Sequence, residues 1–420
     1  MNNQFKESIQ NELNRLDLLG TSKRHELAIE GFTKEQCPQA IIKGKNYLVF
    51  NSNDYLGLRF DSQIHAAEKE GLSHYGSGAG AVRFISGTLA IHQELERALA
   101  AFHSREAAMI FSSAFSANVS IIQALCKGPS AGSLISDNVV VISDELNHRS
   151  IIDGIRVSHL PAEQRAVFKH ADYQELDNLL ASYSKNYKRA IIISDGIFSM
   201  LGEAQQIDKI RKIIDKNQNE YSHGIIFLLD DSHGVGCFGA SGRGCEEDFG
   251  IRSDLLVGTL GKAFGVEGGY VVGDKLLIDY LRESAASYIY SNPISPGSAA
   301  AALHSIKIIN SEQGKQLLKR LNENISFFKQ RMREIGFAFA ADSKHAIQPL
   351  LIADSLKTKQ LVQQLFDRGV LVTAINYPVV AKGKEEIRVQ LSALHGKQEI
   401  ELFIQRLCEC AKQVGVSLTH

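Results

Sequence analysis

The chain has 420 residues, 44% of them hydrophobic and 22% charged, and a formal net charge of −1. That length supplies two or three domains with ample core, and the near-neutral balance makes no electrostatic case for nucleic acid or an anionic membrane as partner. Six cysteines without Cys-x-x-Cys spacing, a polar amino terminus and no run near the roughly 20 apolar residues of a membrane span lead to the expectation of a cytoplasmic protein with free thiols.

Taken in order, Phe5, Ile9, Leu13, Leu16 and Leu19 recur at helical spacing up to Gly20, predicting an amphipathic arm over 5–20 that lies on another surface. A short β element follows at 40–42 and 47–50, with 44–46 as its turn. The block 51–58 (NSNDYLGL) reads from its residues as an Asn-rich loop capping a helix. The stretch 76–88 is glycine-rich and leads to a helix beginning near His92. Its glycines make a flexible backbone around Arg83, and it lacks the Gly-Lys-Ser/Thr ending of a nucleotide loop.

Apolar runs at 107–111, 139–144 and 190–195 read as buried strands, each ending in polar residues. After the first, the Ser-rich 112–118 turns into a helix whose amino terminus can bind phosphate. The fourth run, at 225–229, delivers Asp230-Asp231-Ser232-His233 at its carboxyl end, where open α/β sheets bind ligands. A fifth strand at 255–259 opens the stretch 258–269, Gly-Thr-Leu-Gly-Lys-Ala-Phe-Gly-Val-Glu-Gly-Gly, with Lys262 among small and apolar neighbours. Poor hydration lowers an ammonium's pKa toward the nucleophilic amine that a Schiff-base lysine needs. A lysine of that kind and a carboxylate able to hold a pyridinium proton are the two elements of a pyridoxal 5′-phosphate (PLP) site. His233 is placed to fix that carboxylate or to meet the cofactor's ring oxygen.

The Lys262 loop and the strand end at 230–233 resemble the α-oxoamine synthases, fold-type I PLP enzymes that condense an amino acid with an acyl-coenzyme A. The resemblance runs from about Asn51 to about His395. It implies an α/β large domain with a mostly parallel, seven-stranded-type sheet, helices on both faces, a strand at 270–273 antiparallel to the rest, and a smaller α+β carboxy-terminal domain. The expected division is 1–59, 60–296 and 297–420.

By that resemblance Lys262 carries the cofactor and acts as base, Asp230 meets the pyridine nitrogen, and His148 stacks on the ring. His233 and Ser199 lie near the ring oxygen, and Ala114 and Phe115 hold the phosphate through main-chain groups, with Thr259 a further cofactor contact. Ser291 reaches the phosphate of the neighbouring subunit, which implies a homodimer with shared sites. Asn53, Arg83 and Arg388 are the expected substrate contacts; the planar fork of Arg388 suits bidentate grip on an α-carboxylate.

Within the family, 147–156, 230–233, 290–292 and 377–380 look most like the glycine C-acetyltransferases. The blocks 53–55, 264–266 and 346–350 look more like the 8-amino-7-oxononanoate synthases, and 374–378 is similar to the 5-aminolevulinate synthases. Serine palmitoyltransferases usually have Ser where Gly261 precedes the lysine. The leading expectation is glycine with acetyl-coenzyme A. The alternative is alanine with a pimeloyl thioester, decarboxylating, in biotin synthesis. A PLP aminotransferase is the expectation from another class.

Overall fold

The computed structural model describes residues 1–19, 22–130, 132–377 and 379–416. Its strands in chain order are β1 (Gly31–Phe32), β2 (Ala40–Ile42), β3 (Lys45–Val49), β4 (Ala107–Phe111), β5 (Val139–Asp144), β6 (Arg165–Phe168) and β7 (Arg189–Asp195). They continue with β8 (Ile225–Asp230), β9 (Leu255–Thr259), β10 (Gly269–Gly273), β11 (Ile347–Leu351), β12 (Val370–Leu371), β13 (Thr373–Ile375) and β14 (Glu386–Gln390).

Strands β4 to β10 make one seven-stranded sheet in the order β4-β10-β9-β8-β7-β5-β6. β10 is antiparallel to both neighbours, and the pairings from β9 through to β6 are parallel. The continuous apolar runs follow from burial on both faces. Along β5, Val140 and Ile142 enter one core cluster while Val139 and Val141 enter the other; Ile192 and its neighbours Ile191 and Ile193 divide the same way. Helices on both faces therefore cover the sheet, as expected. Its parallel strands all aim their carboxyl ends at one edge.

Two smaller sheets flank this core: β1-β2-β3-β12 and β11-β14-β13. The stretch from Val370 to Ile375 is divided between them. Val370 and Leu371 pair with β3, whereas Thr373 to Ile375 pair with β14. Two helices, Pro296–Ile309 and Glu312–Glu334, follow the large sheet, divided where the Ser311 side chain caps the second.

The amino-terminal helix runs over Asn3–Leu18 with no buried residue; Phe5 and Ile9 of its apolar stripe are exposed. The stop expected at Gly20 lies outside the described residues, as does Pro378 of the 377–380 block. Among the described residues all six cysteines are free, and no helix is long and apolar enough to cross a membrane.

Candidate active site

A cavity of about 210 Å³ opens at the carboxyl edge of the large sheet, lined by residues from five separate strand ends and loops. Asp195 ends β7, Asp230 ends β8 and Thr259 ends β9; all three reach it, with Ser199, Ser232, His233 and Lys262 from the loops that follow. Ser113, Ala114 and Phe115 contribute the start of the helix Ala114–Cys126, whose cap is the Ser113 hydroxyl accepting from the Ser116 amide at 3.1 Å.

Lys262 sits in a loop pinned at several points. Leu260 N–H donates to Gly268 O and Val266 N–H to Leu260 O, closing the loop on itself. Ala263 and Phe264 are fully buried beneath it. Gly265 has φ +71°, and a Cβ there would lie 2.3 Å from the Arg59 backbone nitrogen, so only glycine fits between the loop and the chain at Arg59. Burial lowers the Lys262 pKa to about 8, against the opposing pull of Asp230 and Asp195.

Asp230 is fixed from two directions. Its Oδ2 accepts from Asn118 Nδ2 at 2.5 Å and its Oδ1 from the Ser232 amide at 3.0 Å. The same Asn118 donates to Ser150 Oγ at 2.9 Å, and Ser150 lies 2.7 Å from Nδ1 of His148. A continuous chain of hydrogen bonds thus runs from His148, which lines the cavity, to Asp230. Asp231 points the other way: its Oδ2 accepts from the Cys245 amide at 2.6 Å, and a Cβ at Gly196, Gly234 or Gly244 would collide with its carboxylate. Burial raises Asp231 to about 7 and pushes Asp195 well above the ordinary carboxylate range, in the latter case with help from Asp230. Burial also lowers His148 and His233, and the charges of Lys262 and Arg388 push His233 further toward the neutral ring.

A second chain leads from His233 to the carboxy-terminal part. His233 Nδ1 lies 2.7 Å from the Tyr55 hydroxyl, which is 3.2 Å from Asn53 Oδ1. That oxygen also accepts from Arg388 at 3.2 Å and from Gln390 at 2.5 Å. Asn53 and Arg388 therefore adjoin the cavity without lining the wall that Lys262 and Asp230 share.

Two of the residues singled out in the sequence lie apart. Arg83 is buried, its guanidinium on the Glu96 carboxylate at 3.2 and 3.3 Å, with Arg282 on the same carboxylate. Ser291 is exposed beside Tyr290, away from its own chain's cavity. Conversely, Asn118, Ser150, Asp195 and Tyr55 belong to the site and were not singled out. Asp195 alone carried a signal, since it ends a strand in the same way as Asp230.

The model of the aminotransferase class I and II family matches residues 45–407. The chain belongs to that family. An 8-amino-7-oxononanoate synthase of Thermosipho melanesiensis is 38% identical over 90% of this chain and 91% of its own. Another, from Petrotoga mobilis, is 35% identical over 98% and 99%. Among solved structures, a serine palmitoyltransferase of S. paucimobilis superposes with a TM-score of 0.86 at 27% identity, covering 99% of this chain and 100% of that one. An 8-amino-7-oxononanoate synthase of Francisella tularensis gives 0.71 at 25% identity, covering 87% and 98%. Within the family the protein is a PLP-dependent enzyme of the α-oxoamine synthase type, with the fold-type I architecture. The leading expectation of glycine with acetyl-coenzyme A is not supported, since these relatives carry the name of the alternative.

The cavity suits PLP. Ser232 Oγ and Asp195 Oδ1 are buried in its wall without hydrogen-bond partners among the described residues, as polar atoms awaiting a ligand are. A helix amino terminus faces the same space, ready for a phosphate.

Proposed function

We propose that the protein is an 8-amino-7-oxononanoate synthase, joining alanine to a pimeloyl thioester with loss of carbon dioxide and of the thiol, in biotin synthesis. The observation that carries this reading is 35–38% identity, over nine-tenths or more of the chain, to relatives of that name. The backbone likeness to serine palmitoyltransferase comes at 27% identity and bears on the fold more than on the substrate.

In this reading PLP supplies an electron sink that lets the amino acid lose its Cα proton. Lys262 anchors the cofactor and then, as a free amine whose pKa burial has brought to about 8, takes that proton. Asp230, oriented by Asn118, keeps the ring nitrogen protonated. The amides at Ala114 and Phe115 hold the phosphate, with Thr259 beside them, and Ser199 and the neutral His233 face the ring oxygen. His148, tied through Ser150 and Asn118 to the same carboxylate, covers the ring. Arg388 and Asn53 grip the α-carboxylate. Arg83, ion-paired with Glu96, shapes the loop 76–89 from within.

A homodimer completes the site. Phe84, Ile85 and Tyr290 stand exposed around the loop 76–89 and beside Ser291, an apolar surface that a second copy would cover.

The test is thiol release by the PLP-loaded protein with glycine, alanine and serine, each crossed with acetyl-, succinyl-, pimeloyl- and long-chain acyl-coenzyme A. Alanine with the pimeloyl thioester is the expected preference. A preference for glycine with acetyl-coenzyme A would overturn it, and amine transfer to a keto acid without thiol release would replace the reaction class.

A further inference from the structure

Strand β14 sends alternate side chains to opposite sides. Ile387 and Val389 are fully buried in the main apolar core, while Arg388 and Gln390 turn the other way, both onto Asn53 Oδ1. The alternation puts Glu386 on that second side, one pleat before Arg388. Glu386 is 0% exposed, yet neither of its carboxyl oxygens has a hydrogen-bond partner among the described residues, and Arg388 Nε is buried without one as well.

A buried carboxyl with no partner is expensive to keep ionised. Its surroundings sharpen the point. The residues opposite it in register are apolar, Leu351 on β11 and Ile375 on β13. Two charged groups act on it: Arg388 on its own strand and Glu203 on the hairpin 197–204 that carries Ser199 into the cavity. Burial raises its pKa to about 7, with Glu203 adding to the rise and Arg388 opposing it.

We propose that Glu386 is a further substrate-binding residue: as a neutral acid it donates its O–H to the amino acid α-carboxylate held at Arg388, so that amino acid binding takes up a proton at Glu386. The proposal rests on the reading of Arg388 as the carboxylate clamp. Two carboxylates sharing one guanidinium cannot both stay ionised without mutual repulsion, and the one with no other partner is the one to accept the proton. An ionised Glu386 instead occupies the guanidinium and competes with the substrate.

The experiment is calorimetric titration of the PLP-loaded protein with L-alanine, without acyl donor, between pH 6 and pH 8. Two buffers of different ionisation enthalpy give the number of protons taken up. Lys262 and the amine of alanine titrate alike in wild type and in Glu386→Gln, so the ratio of the two dissociation constants isolates Glu386. With a pKa near 7, that ratio should rise about tenfold from pH 6 to pH 8, and the wild type should take up close to one proton more than the variant at pH 8. Glu203→Gln, which removes the like charge, should move the break in the profile to lower pH. Identical pH profiles for wild type and Glu386→Gln, with alanine binding weakened in Arg388→Ala, overturn the proposal alone. Unweakened binding in Arg388→Ala overturns the clamp and the proposal with it. If Glu386→Gln does not fold, an unmoved break in folded Glu203→Gln overturns the assignment to Glu386.

Discussion

The Tyr55 hydroxyl lies 2.7 Å from Nδ1 of His233, joining the segment before the large sheet to the strand end that carries Asp230. Tyr55 is fully buried, with its ring against the edge of His345 at 4.8 Å. Its hydroxyl also meets Asn53, so one group sets both the ring of His233 and the amide that faces Arg388. Tyr55→Phe keeps the packing and removes this link. The expected outcome is a loss of about 1–3 kcal/mol in chemical denaturation, the cost of an unsatisfied buried group, together with a higher KM for the amino acid. An unchanged KM would show that Asn53 is held well enough by Gln390 and Arg388 alone.

Lys262→Ala should remove the visible absorbance of PLP-loaded protein that borohydride otherwise traps covalently, while leaving some non-covalent affinity from the phosphate site proposed at Ala114 and Phe115. Mass spectrometry after reduction reads the result directly. A trapped adduct on another lysine in the variant would move the anchor elsewhere.

The parts of this site that were legible in the sequence lie at strand ends. Asp230 and Lys262 stood out because a long apolar run or a glycine-rich loop delivers each, and both features follow from burial. The sheet was legible for the same reason, except β6: its four residues alternate exposed and buried at the edge, and so short a pattern does not stand out. Val370 to Val372 are apolar and Thr373 is β-branched like the valines, so nothing local marks the change of sheets at Val372. Asn118 was invisible because its meaning is a contact with Asp230, 112 positions away. Arg83 stood out as a charge in a flexible loop, but its ion pair with Glu96 on the next helix had no local signal.

Gly265 offers a test of how the lysine loop is held. Its φ of +71° disfavours any side chain, and the Arg59 backbone occupies the place of a Cβ. Gly265→Ala should cost more than about 2 kcal/mol, from the left-handed conformation and the displaced backbone together. Because the loop carries Lys262, PLP affinity should fall as well. Loss of stability with PLP affinity intact would mean that the Arg59 segment yields and the loop does not.

His170 gives the hairpin 197–204 a pH-dependent hold. Its Nδ1 is 3.2 Å from both Asp144 oxygens, its Nε2 is 3.6 Å from Glu203, and its ring lies edge-on to Phe198 at 4.3 Å. Burial alone would lower its pKa, but the hydrogen bonds and charges of Asp144 and Glu203 outweigh it and raise the value to about 9. The pKa is therefore higher folded than in the unfolded chain, where it is about 6.5. The stabilisation is complete below about 6.5, declines between there and 9, and is gone above that. The stability difference between wild type and His170→Gln, read from urea midpoints, should be largest at pH 6 and shrink toward zero by pH 9.5. A difference that stays constant across this range would assign the contribution of His170 to its contact with Phe198 and not to its charge.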